Sequence, residues 1–443
     1  MQKYSVNTNH PYFFNQLFGA VDPVALAGEI IALSVNTSAY TYETAPVFTM
    51  IERNVMENLG RLVFDAYDDE CQSRYTGCNG LMLPGGSISN LTALHVARHY
   101  AKYASSSSYS PTNPQQEFVA FVSSEAHYSF SKAIAVTGIG IENLVVVPTL
   151  PNGSMDVNQL EILMKTMYHL YGLSRIPFFV GVTSGSTVRG SFDDIEAIVR
   201  HRIWIHVDGA WGGSAIFSSR PDIRGLMRGV QRADSFTFNP HKMFGAPQQT
   251  TAFLSRHKDI LKAANSSGAK YLFDCRKSGA EYDLGDTSFT CGRRTDSIKL
   301  WALLKFHGPD GLGKQLEEKV DVLDYLVDKI RENKYFMLAC DPWPFNVNFF
   351  FVPERIRMAM IKCGVDINSS TPHIPPELSK ELGDISVQLK LMLHHSGEML
   401  IPYQPISNQE ADCFRIVLAG YKPFSKEDVH RIIDLIEKYG NTL

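Results

Sequence analysis

One lysine stands in a sequence context that suits covalent chemistry. Lys242 follows the apolar run Ser235–Phe238, a predicted buried strand, and the turn residues Asn239-Pro240. Ligands bind at the carboxyl ends of strands in α/β sheets, and a partly desolvated lysine amine loses its proton readily and can form a Schiff base with a carbonyl. An exposed loop lysine is the alternative, and the pair His257-Lys258, in a charged run, is typical of that case.

A carboxylate at the end of a neighbouring predicted strand makes the lysine more informative. Asp208 follows the β-branched and aromatic run Ile203–Val207, and small residues, Gly209-Ala210, come next. A carboxylate here would keep a pyridine nitrogen protonated, and the small residues would let a flat ring lie against the backbone. Alone, Asp208 could equally be a helix cap or part of a structural ion pair. Together with Lys242, it predicts a pyridoxal phosphate site.

A glycine-rich turn supplies a candidate phosphate site. Gly86 and Ser87 open a predicted helix, whose free N–H groups and dipole favour an anion. A plain capped helix is the alternative. His95 and His99 on this helix have the i, i+4 spacing of some metal ligands, but the sequence offers no third ligand, so we predict no metal site.

These residues need a sheet to position them, and strand-like runs alternate with helical ones through the first two thirds of the chain. That alternation predicts an α/β fold whose mainly parallel sheet is covered on both faces. We divide the chain into an N-terminal arm (1–50), a large domain (51–310) and a small domain (311–443). The predicted strands are Phe118–Val122, Leu144–Val147, Phe178–Val182, Ile203–Val207, Ser235–Phe238 and Thr251–Leu254, then Asn346–Val352, Met399–Gln404 and Cys413–Leu418 in the small domain.

Composition excludes several classes of protein. The 443 residues are 44% hydrophobic and 20% charged, with a net charge of -4 that argues against a nucleic-acid partner. No apolar run approaches the roughly 18 residues of a membrane span, and the first residues lack the apolar stretch of a signal peptide. Because of this we predict no membrane partner. Seven cysteines without a Cys-x-x-Cys pair predict reduced thiols in a cytoplasmic protein.

The motifs together resemble a known family. The segments His206-Val-Asp-Gly-Ala-Trp-Gly-Gly213 and Asn239-Pro-His-Lys242 are similar to those of the group II pyridoxal-phosphate amino acid decarboxylases. The similarity is to the branch that holds glutamate, cysteine sulfinate and aspartate decarboxylases, and it runs from His10 to Leu443. It implies pyridoxal 5'-phosphate as cofactor, fold type I with a seven-stranded sheet and a small C-terminal α/β domain, and a homodimer with shared active sites.

The resemblance also implies residue roles. His127 would stack on the pyridine ring, although alone it would be interpreted as a loop histidine, and Thr183 would lie beside the ring hydroxyl. Tyr271 would be the proton donor to Cα, on a loop that reaches over the neighbouring subunit's site. The implied catalytic residues are Lys242, His127 and Tyr271. The implied cofactor-binding residues are Gly86, Ser87, His127, Thr183, Asp208, Ala210, Asn239, His241 and Lys242.

Substrate binding is assigned in the same way. Arg415 interrupts an apolar strand and needs an anion; a structural carboxylate is one candidate, and the family gives it the substrate's α-carboxylate. At the mouth of the site the resemblance places Gln16, Phe18, Ser38 and Tyr40.

Three of these residues bear on the choice of acid. Ser38 and Tyr40 resemble the residues that cysteine sulfinate and aspartate decarboxylases have at these positions, whereas glutamate decarboxylases typically have Asn and Phe there. Phe18 fills space that the glutamate enzymes leave to a small hydroxyl residue, although one methylene changes binding by only about 1–3 kcal/mol. We therefore expect cysteine sulfinate (giving hypotaurine), then aspartate (giving β-alanine), then glutamate (giving GABA).

Two other functions stay open at this point. Transamination would use the same Lys242 and Asp208. A non-catalytic protein that kept the fold would be favoured by the short N-terminal segment and by a predicted helix at 193–200 that is about one turn shorter than the family's.

Overall fold

A computed structural model describes residues 4–65, 79–103, 116–269, 271–274, 276–367, 369, 372–406 and 411–443. The strands within these ranges form one sheet of seven strands and one of four. No helix in the same ranges is long and apolar enough to cross a bilayer.

The larger sheet is mainly parallel, as predicted. Its strands are β1 (Asn79–Leu83), β2 (Glu117–Ser123), β3 (Leu144–Val147), β4 (Arg175–Thr183), β5 (Trp204–Gly209), β6 (Ser235–Phe238) and β7 (Thr251–Ser255). In the order β1-β7-β6-β5-β4-β2-β3, strands β2 to β6 pair in parallel and β7 is antiparallel to β6 and β1. Every residue of β5 and β6 is buried, which explains their continuous apolar sequences. The sequence analysis did not predict β1, because its segment was interpreted as part of the glycine-rich turn.

Helices cover this sheet and continue beyond it. They are α1 (Pro23–Val35), α2 (Pro46–Phe64), α3 (Gly86–Tyr103), α4 (Ser129–Val136), α5 (Val157–Tyr171), α6 (Ile195–Ile198), α7 (Pro221–Arg224), α8 (Pro240–Met243), α9 (Ile260–Asn265), α10 (Ser297–Glu332), α11 (Glu354–Lys362), α12 (Pro376–Ser396) and α13 (Lys426–Gly440). The helix predicted at 193–200 shortens to the single turn of α6, and the pairing of β4 with β5 on either side of it is intact.

The smaller sheet is antiparallel, with order β10-β11-β9-β8. Its strands are β8 (Phe336–Leu338), β9 (Val347–Phe351), β10 (Tyr403–Pro405) and β11 (Asp412–Ile416). Strand β8 was not predicted, and the strand predicted to begin at Met399 begins at Tyr403. The small C-terminal α/β unit is thus present, with α12 packed on β11 and β9.

Helix α10 joins the two hydrophobic cores. It is interrupted at Gly308, whose φ is +66°, just before Pro309, which has no N–H to continue the helix. Beyond this kink, Leu316 packs in the core of the larger sheet and Leu326 in that of the smaller sheet. The domain boundaries at residues 50 and 310 stay a prediction.

The parallel strands bring their carboxyl ends to one edge of the sheet. Thr183, the last residue of β4, pairs with Asp208 near the end of β5. Strand β6 leads directly into α8, which carries Lys242. The amino terminus of α3 also lies here, because Gly86 approaches both Asn239 and Ala210. This edge positions the candidate site.

Candidate active site

A cavity of about 220 Å³ lies at this edge of the sheet. It contains all the residues that the sequence analysis assigned to the cofactor. The lining residues are Gly86, Ser87, His127, Thr183, Asp208, Ala210, Asn239, His241 and Lys242, together with Asn90, Tyr128, Gly185, Ser186, Thr187 and Trp211.

Asp208 is a buried carboxylate held in one orientation. Its Oδ2 accepts a hydrogen bond from Nδ2 of Asn90 (2.7 Å), and its Oδ1 accepts one from the main-chain N–H of Ala210 (3.1 Å). Asn90 is in turn fixed by His206, whose Nε2 contacts Oδ1 of the amide at 3.1 Å. Burial lowers the pKa of His206 to about 4, so this imidazole is neutral at pH 7. The carboxylate is therefore oriented by a neutral network and stays available to a cation in the cavity.

The same asparagine connects Asp208 to His127. Nδ2 of Asn90 also donates to Oγ of Ser129 (2.9 Å), and that hydroxyl contacts Nδ1 of His127 at 2.8 Å. The main-chain N–H of Ser129 also donates to Nδ1 (3.3 Å), so Nδ1 is the acceptor and the proton of the neutral ring is on Nε2. Burial lowers the pKa of His127, which favours the neutral ring. Asn90 is not among the site residues predicted from the sequence.

Lys242 has the electrostatic environment of a nucleophilic amine. Burial lowers the pKa of its amine, the charge of Asp208 opposes that change, and the charge of Arg415 adds to it. A lowered pKa increases the fraction of neutral amine that can attack a carbonyl carbon. The turn itself is fixed by the main-chain bond from the N–H of Lys242 to the carbonyl of Asn239 (3.0 Å).

A glycine shapes the end of the cavity where α3 begins. A Cβ on Gly86 would lie 3.0 Å from Nδ2 of Asn239 and 3.5 Å from Cβ of Ala210, so a side chain would fill the space in front of α3. The first turn of this helix has N–H groups that no earlier residue of the helix can bond. His241 is oriented beside it by contacts with the main chain of Thr250, and burial lowers its pKa to about 4.

Two buried oxygen atoms in the cavity have no hydrogen-bond partner among the described residues, Oγ1 of Thr183 and Oδ1 of Asn239. The main chain of Thr183 is anchored by Asp193, whose Oδ2 accepts from its N–H (2.7 Å). Pyridoxal phosphate fits this set of groups, which comprises the two unpaired oxygen atoms, the amino terminus of α3, the carboxylate of Asp208 and the amine of Lys242. These groups would provide partners for its hydroxyl and phosphate, its ring nitrogen and its aldehyde.

Arg415 lies behind the cavity wall. Its guanidinium, in strand β11, donates to the main-chain carbonyls of Thr187 (2.6 Å) and Asn15 (3.4 Å). No carboxylate of the described residues forms an ion pair with it, and burial lowers its pKa to about 10. Arg415 therefore stays charged, and Thr187, which it contacts, lines the cavity.

The predicted residues of the site mouth do not line the cavity of their own chain. Gln16 is exposed, and the ring of Phe18 packs against Phe13 (5.9 Å between ring centres). Oγ of Ser38 donates to the carbonyl of Arg293 (3.2 Å), while the carbonyl of Tyr40 accepts from the N–H of Gly285 (2.7 Å).

Tyr271 is also away from the cavity, with 81% of its surface exposed. The predicted histidine pair on α3 has other contacts, because Nε2 of His95 approaches the carbonyl of Ala264 (3.0 Å) and the ring of His99 packs against Tyr103. In the part of the chain that the structure describes, no cluster of His, Cys, Asp or Glu could hold a metal ion. A single chain thus brings together the predicted cofactor residues, with Arg415 behind them, but not Tyr271 or the predicted mouth residues.

Comparisons with known proteins support the same cofactor as the residues that line this cavity. Residues 1–352 match the pyridoxal-dependent decarboxylase conserved domain. The chain is 37% identical to cysteine sulfinic acid decarboxylase of Mus musculus, over 99% of this chain and 84% of that protein. It is 33% identical to glutamate decarboxylase of Drosophila melanogaster, over 100% of this chain and 82% of that protein.

The fold agrees as well. A crystal structure of mouse CSAD superimposes with a TM-score of 0.87 at 36% identity, covering 99% of this chain and 86% of that one. The fold type I predicted from the resemblance is therefore confirmed. The chain belongs to the pyridoxal-dependent decarboxylase family and is a carboxy-lyase that uses pyridoxal phosphate.

Proposed function

We propose that the protein removes the α-carboxylate of a small acidic amino acid, with cysteine sulfinate preferred, aspartate second and glutamate third. The observation that carries this proposal is the single cavity that holds Lys242, Asp208 and the amino terminus of α3. The relatives that resemble the chain over nearly its whole length are named as cysteine sulfinic acid and glutamate decarboxylases, which supports an acidic substrate.

Pyridoxal phosphate, when bound, supplies the electron sink for the pair released when the bond between Cα and the carboxylate breaks. Lys242 would bind the cofactor's aldehyde carbon and release it to the substrate's amine. Asp208, held by Asn90, would keep the ring nitrogen protonated. His127, whose Nδ1 is occupied by Ser129, would contact one face of the ring.

The remaining steps concern the substrate. Arg415 is a buried cation with no carboxylate partner among the described residues. It donates to the main-chain carbonyls of Thr187 and Asn15 and contacts the side-chain amide of Gln404, so it can accept a carboxylate without losing an ion pair. Its direction relative to Lys242 would set which bond of Cα is broken, because only a bond perpendicular to the ring overlaps the ring's π system. Tyr271 of the partner subunit would then return a proton to Cα.

We propose a homodimer for two reasons. Tyr271 and the mouth residues do not line the cavity of their own chain, so the site needs a second copy to be complete. Helix α1 also exposes large apolar side chains to solvent, each with 44–61% of its surface accessible. These side chains are Leu26, Ile30, Ile31, Leu33 and Val35.

We place the enzyme in the cytoplasm. The described thiols of Cys291, Cys340, Cys363 and Cys413 form no disulfide, as is typical of a reducing compartment.

The test is kcat/KM for CO2 release from cysteine sulfinate, aspartate and glutamate, measured separately with cofactor-loaded protein. We expect the order given above. The double variant Ser38→Asn, Tyr40→Phe should shift the ratio of glutamate to cysteine sulfinate by about tenfold toward glutamate. A wild type that prefers glutamate would overturn the substrate order. Conversion of the cofactor to pyridoxamine phosphate without CO2 would indicate a transaminase, and a protein that binds no cofactor would indicate a non-catalytic relative.

A further inference from the structure

A buried lysine outside the cavity contacts both α8 and the turn that follows β11. Lys319 lies in α10, beyond the kink at Gly308, and only 7% of it is exposed. Its Nζ donates to the main-chain carbonyls of Met243 and Gly420, both at 2.7 Å. No carboxylate of the described residues forms an ion pair with it. Burial lowers the pKa of this amine to about 7. A buried amino group without a carboxylate partner is costly, so its retention calls for an explanation beyond packing.

The two carbonyls belong to the elements that carry the reactive lysine and the buried arginine. Met243 follows Lys242 and ends α8, whereas Gly420 lies in the turn after strand β11, which carries Arg415. The N–H of Gly420 also donates to the carbonyl of Lys242 (2.8 Å). Two contacts thus join helix α8 to the turn that follows β11. One is the direct main-chain hydrogen bond, and the other is the amino group of Lys319, which donates to both segments.

The N-terminal segment packs into the same junction. The N–H of Tyr421 donates to the carbonyl of Ala20 (2.7 Å), and the N–H of Asp22 donates to the carbonyl of Gly245 (2.8 Å). Gly420 and Gly245 have φ of +82° and +68°, and a Cβ on either would lie within 2.7 Å of main-chain atoms of the opposite segment. Three segments therefore meet here at main-chain contact distance, so a small displacement of one displaces the others.

We propose that Lys319 is a positioning residue that fixes the distance between Lys242 and Arg415. This inference rests on the proposed roles of those two residues. An amino group that donates to two carbonyls holds the turn after β11 at one distance from α8, which a hydrophobic side chain could not do. The substrate's α-carboxylate is then held in one direction relative to the cofactor's reactive carbon.

The test compares Lys319→Met with Lys319→Arg, which keeps the donors, and with Lys299→Met. Lys299 is the control because it is also a buried lysine of α10, but its Nζ pairs with Glu29 and Asp296 and donates to only one main-chain carbonyl among the described residues, that of Gln249 (3.1 Å). At equal cofactor occupancy, Lys319→Met should raise KM for cysteine sulfinate and lower kcat, each by about tenfold. Lys319→Arg should recover most of the loss. In the cofactor-free protein, the amide of Gly420 should exchange its hydrogen faster in Lys319→Met than in Lys299→Met.

Unchanged KM and kcat in Lys319→Met, or equal changes in Lys299→Met, would overturn the proposal. If Lys319→Met does not fold, Lys319→Gln replaces it; its shorter amide cannot reach both carbonyls, and an unchanged KM there also overturns the proposal. The wild type separates this inference from the proposed function. If borohydride fixes pyridoxal phosphate to Lys242 and CO2 is released, only the positioning role is at stake; if neither occurs, the proposed function itself has failed.

Discussion

Asn90→Ala should lower both kcat and the free energy of unfolding, although it removes no group that contacts the reacting atoms in the proposed reaction. Its amide donates to Asp208 at 2.7 Å and to Ser129 at 2.9 Å, and it is contacted by His206 at 3.1 Å. Alanine has no polar atom to replace these bonds. The variant therefore leaves a buried carboxylate oxygen and a buried hydroxyl with one partner fewer each.

The magnitude follows from the type of each bond. A hydrogen bond to a charged group is worth about 1.5–3 kcal/mol and a neutral one about 0.5–1.5 kcal/mol, so the free energy of unfolding should fall by about 2.5–6 kcal/mol. If the loss at Asp208 is fully expressed in the barrier, kcat should fall about 10- to 150-fold. KM should change less, because Asn90 does not contact Arg415.

The assay is CO2 release at saturating cysteine sulfinate, with bound cofactor quantified by absorbance, and the unfolding free energy from denaturant titration. Asn58→Ala is the matched control, because the side-chain amide of the exposed Asn58 donates to Oδ1 of Asn54 in the same helix (3.1 Å). It should alter stability by less than about 0.5 kcal/mol. A kcat for Asn90→Ala within twofold of wild type, at equal cofactor content, would refute the view that this amide holds Asp208 in its working orientation.

Gly86→Ala should weaken binding of pyridoxal phosphate by at least about tenfold, because its Cβ would lie 3.0 Å from a buried amide of the cavity. Gly225→Ala meets nothing within 4 Å, and equal affinities of the two variants would contradict the shape assigned to the phosphate site. Arg293→Met should lower the free energy of unfolding by about 3–5 kcal/mol, because a buried carboxylate of α2 loses its partner. Arg61→Met breaks an exposed ion pair and should cost at most about 1 kcal/mol, so similar losses would be the contrary result. Burial lowers the pKa of His206 from 6.5 to about 4, so between these values only the unfolded chain binds the proton. The contribution of His206 to the free energy of unfolding is therefore at its maximum above pH 6.5, and it should decline by about 3 kcal/mol as the pH falls to 4. The stability difference from His206→Asn, measured across this range, should decline with it, and a constant difference would disprove the assignment.

The parallel strands could be predicted because their sequences are buried on both faces and therefore continuously apolar. The Ser235–Phe238 and Leu144–Val147 boundaries agree with the sequence analysis to the residue. Strand β1 could not be predicted in this way, since it is an edge strand with Gly80 in it and a glycine-rich turn after it. Its place in the sheet depends on pairing with β7, far away in the chain.

The residues of the site also differ in how far they could be predicted from the sequence. Lys242 and Asp208 could be found because each follows a recognisable strand, where side chains of α/β sheets meet ligands. Asn90 lies within a helix and acquires its role only when α3 packs against β5. One signal was present in His206: it precedes Asp208 by two residues on an apolar strand, so both side chains lie on the same face. Tyr271 and the predicted mouth residues could not be assembled from one chain, because they do not line its own cavity.

The central claim is that this cavity decarboxylates an acidic amino acid through Lys242. The most direct measurement is CO2 release from cysteine sulfinate by cofactor-loaded protein, together with mass spectrometry of the peptide that carries pyridoxal phosphate after borohydride reduction. The account predicts CO2 from wild type, cofactor on Lys242, and loss of both in Lys242→Ala. Wild-type rates of CO2 release from Lys242→Ala, or cofactor fixed to a different lysine, would contradict it.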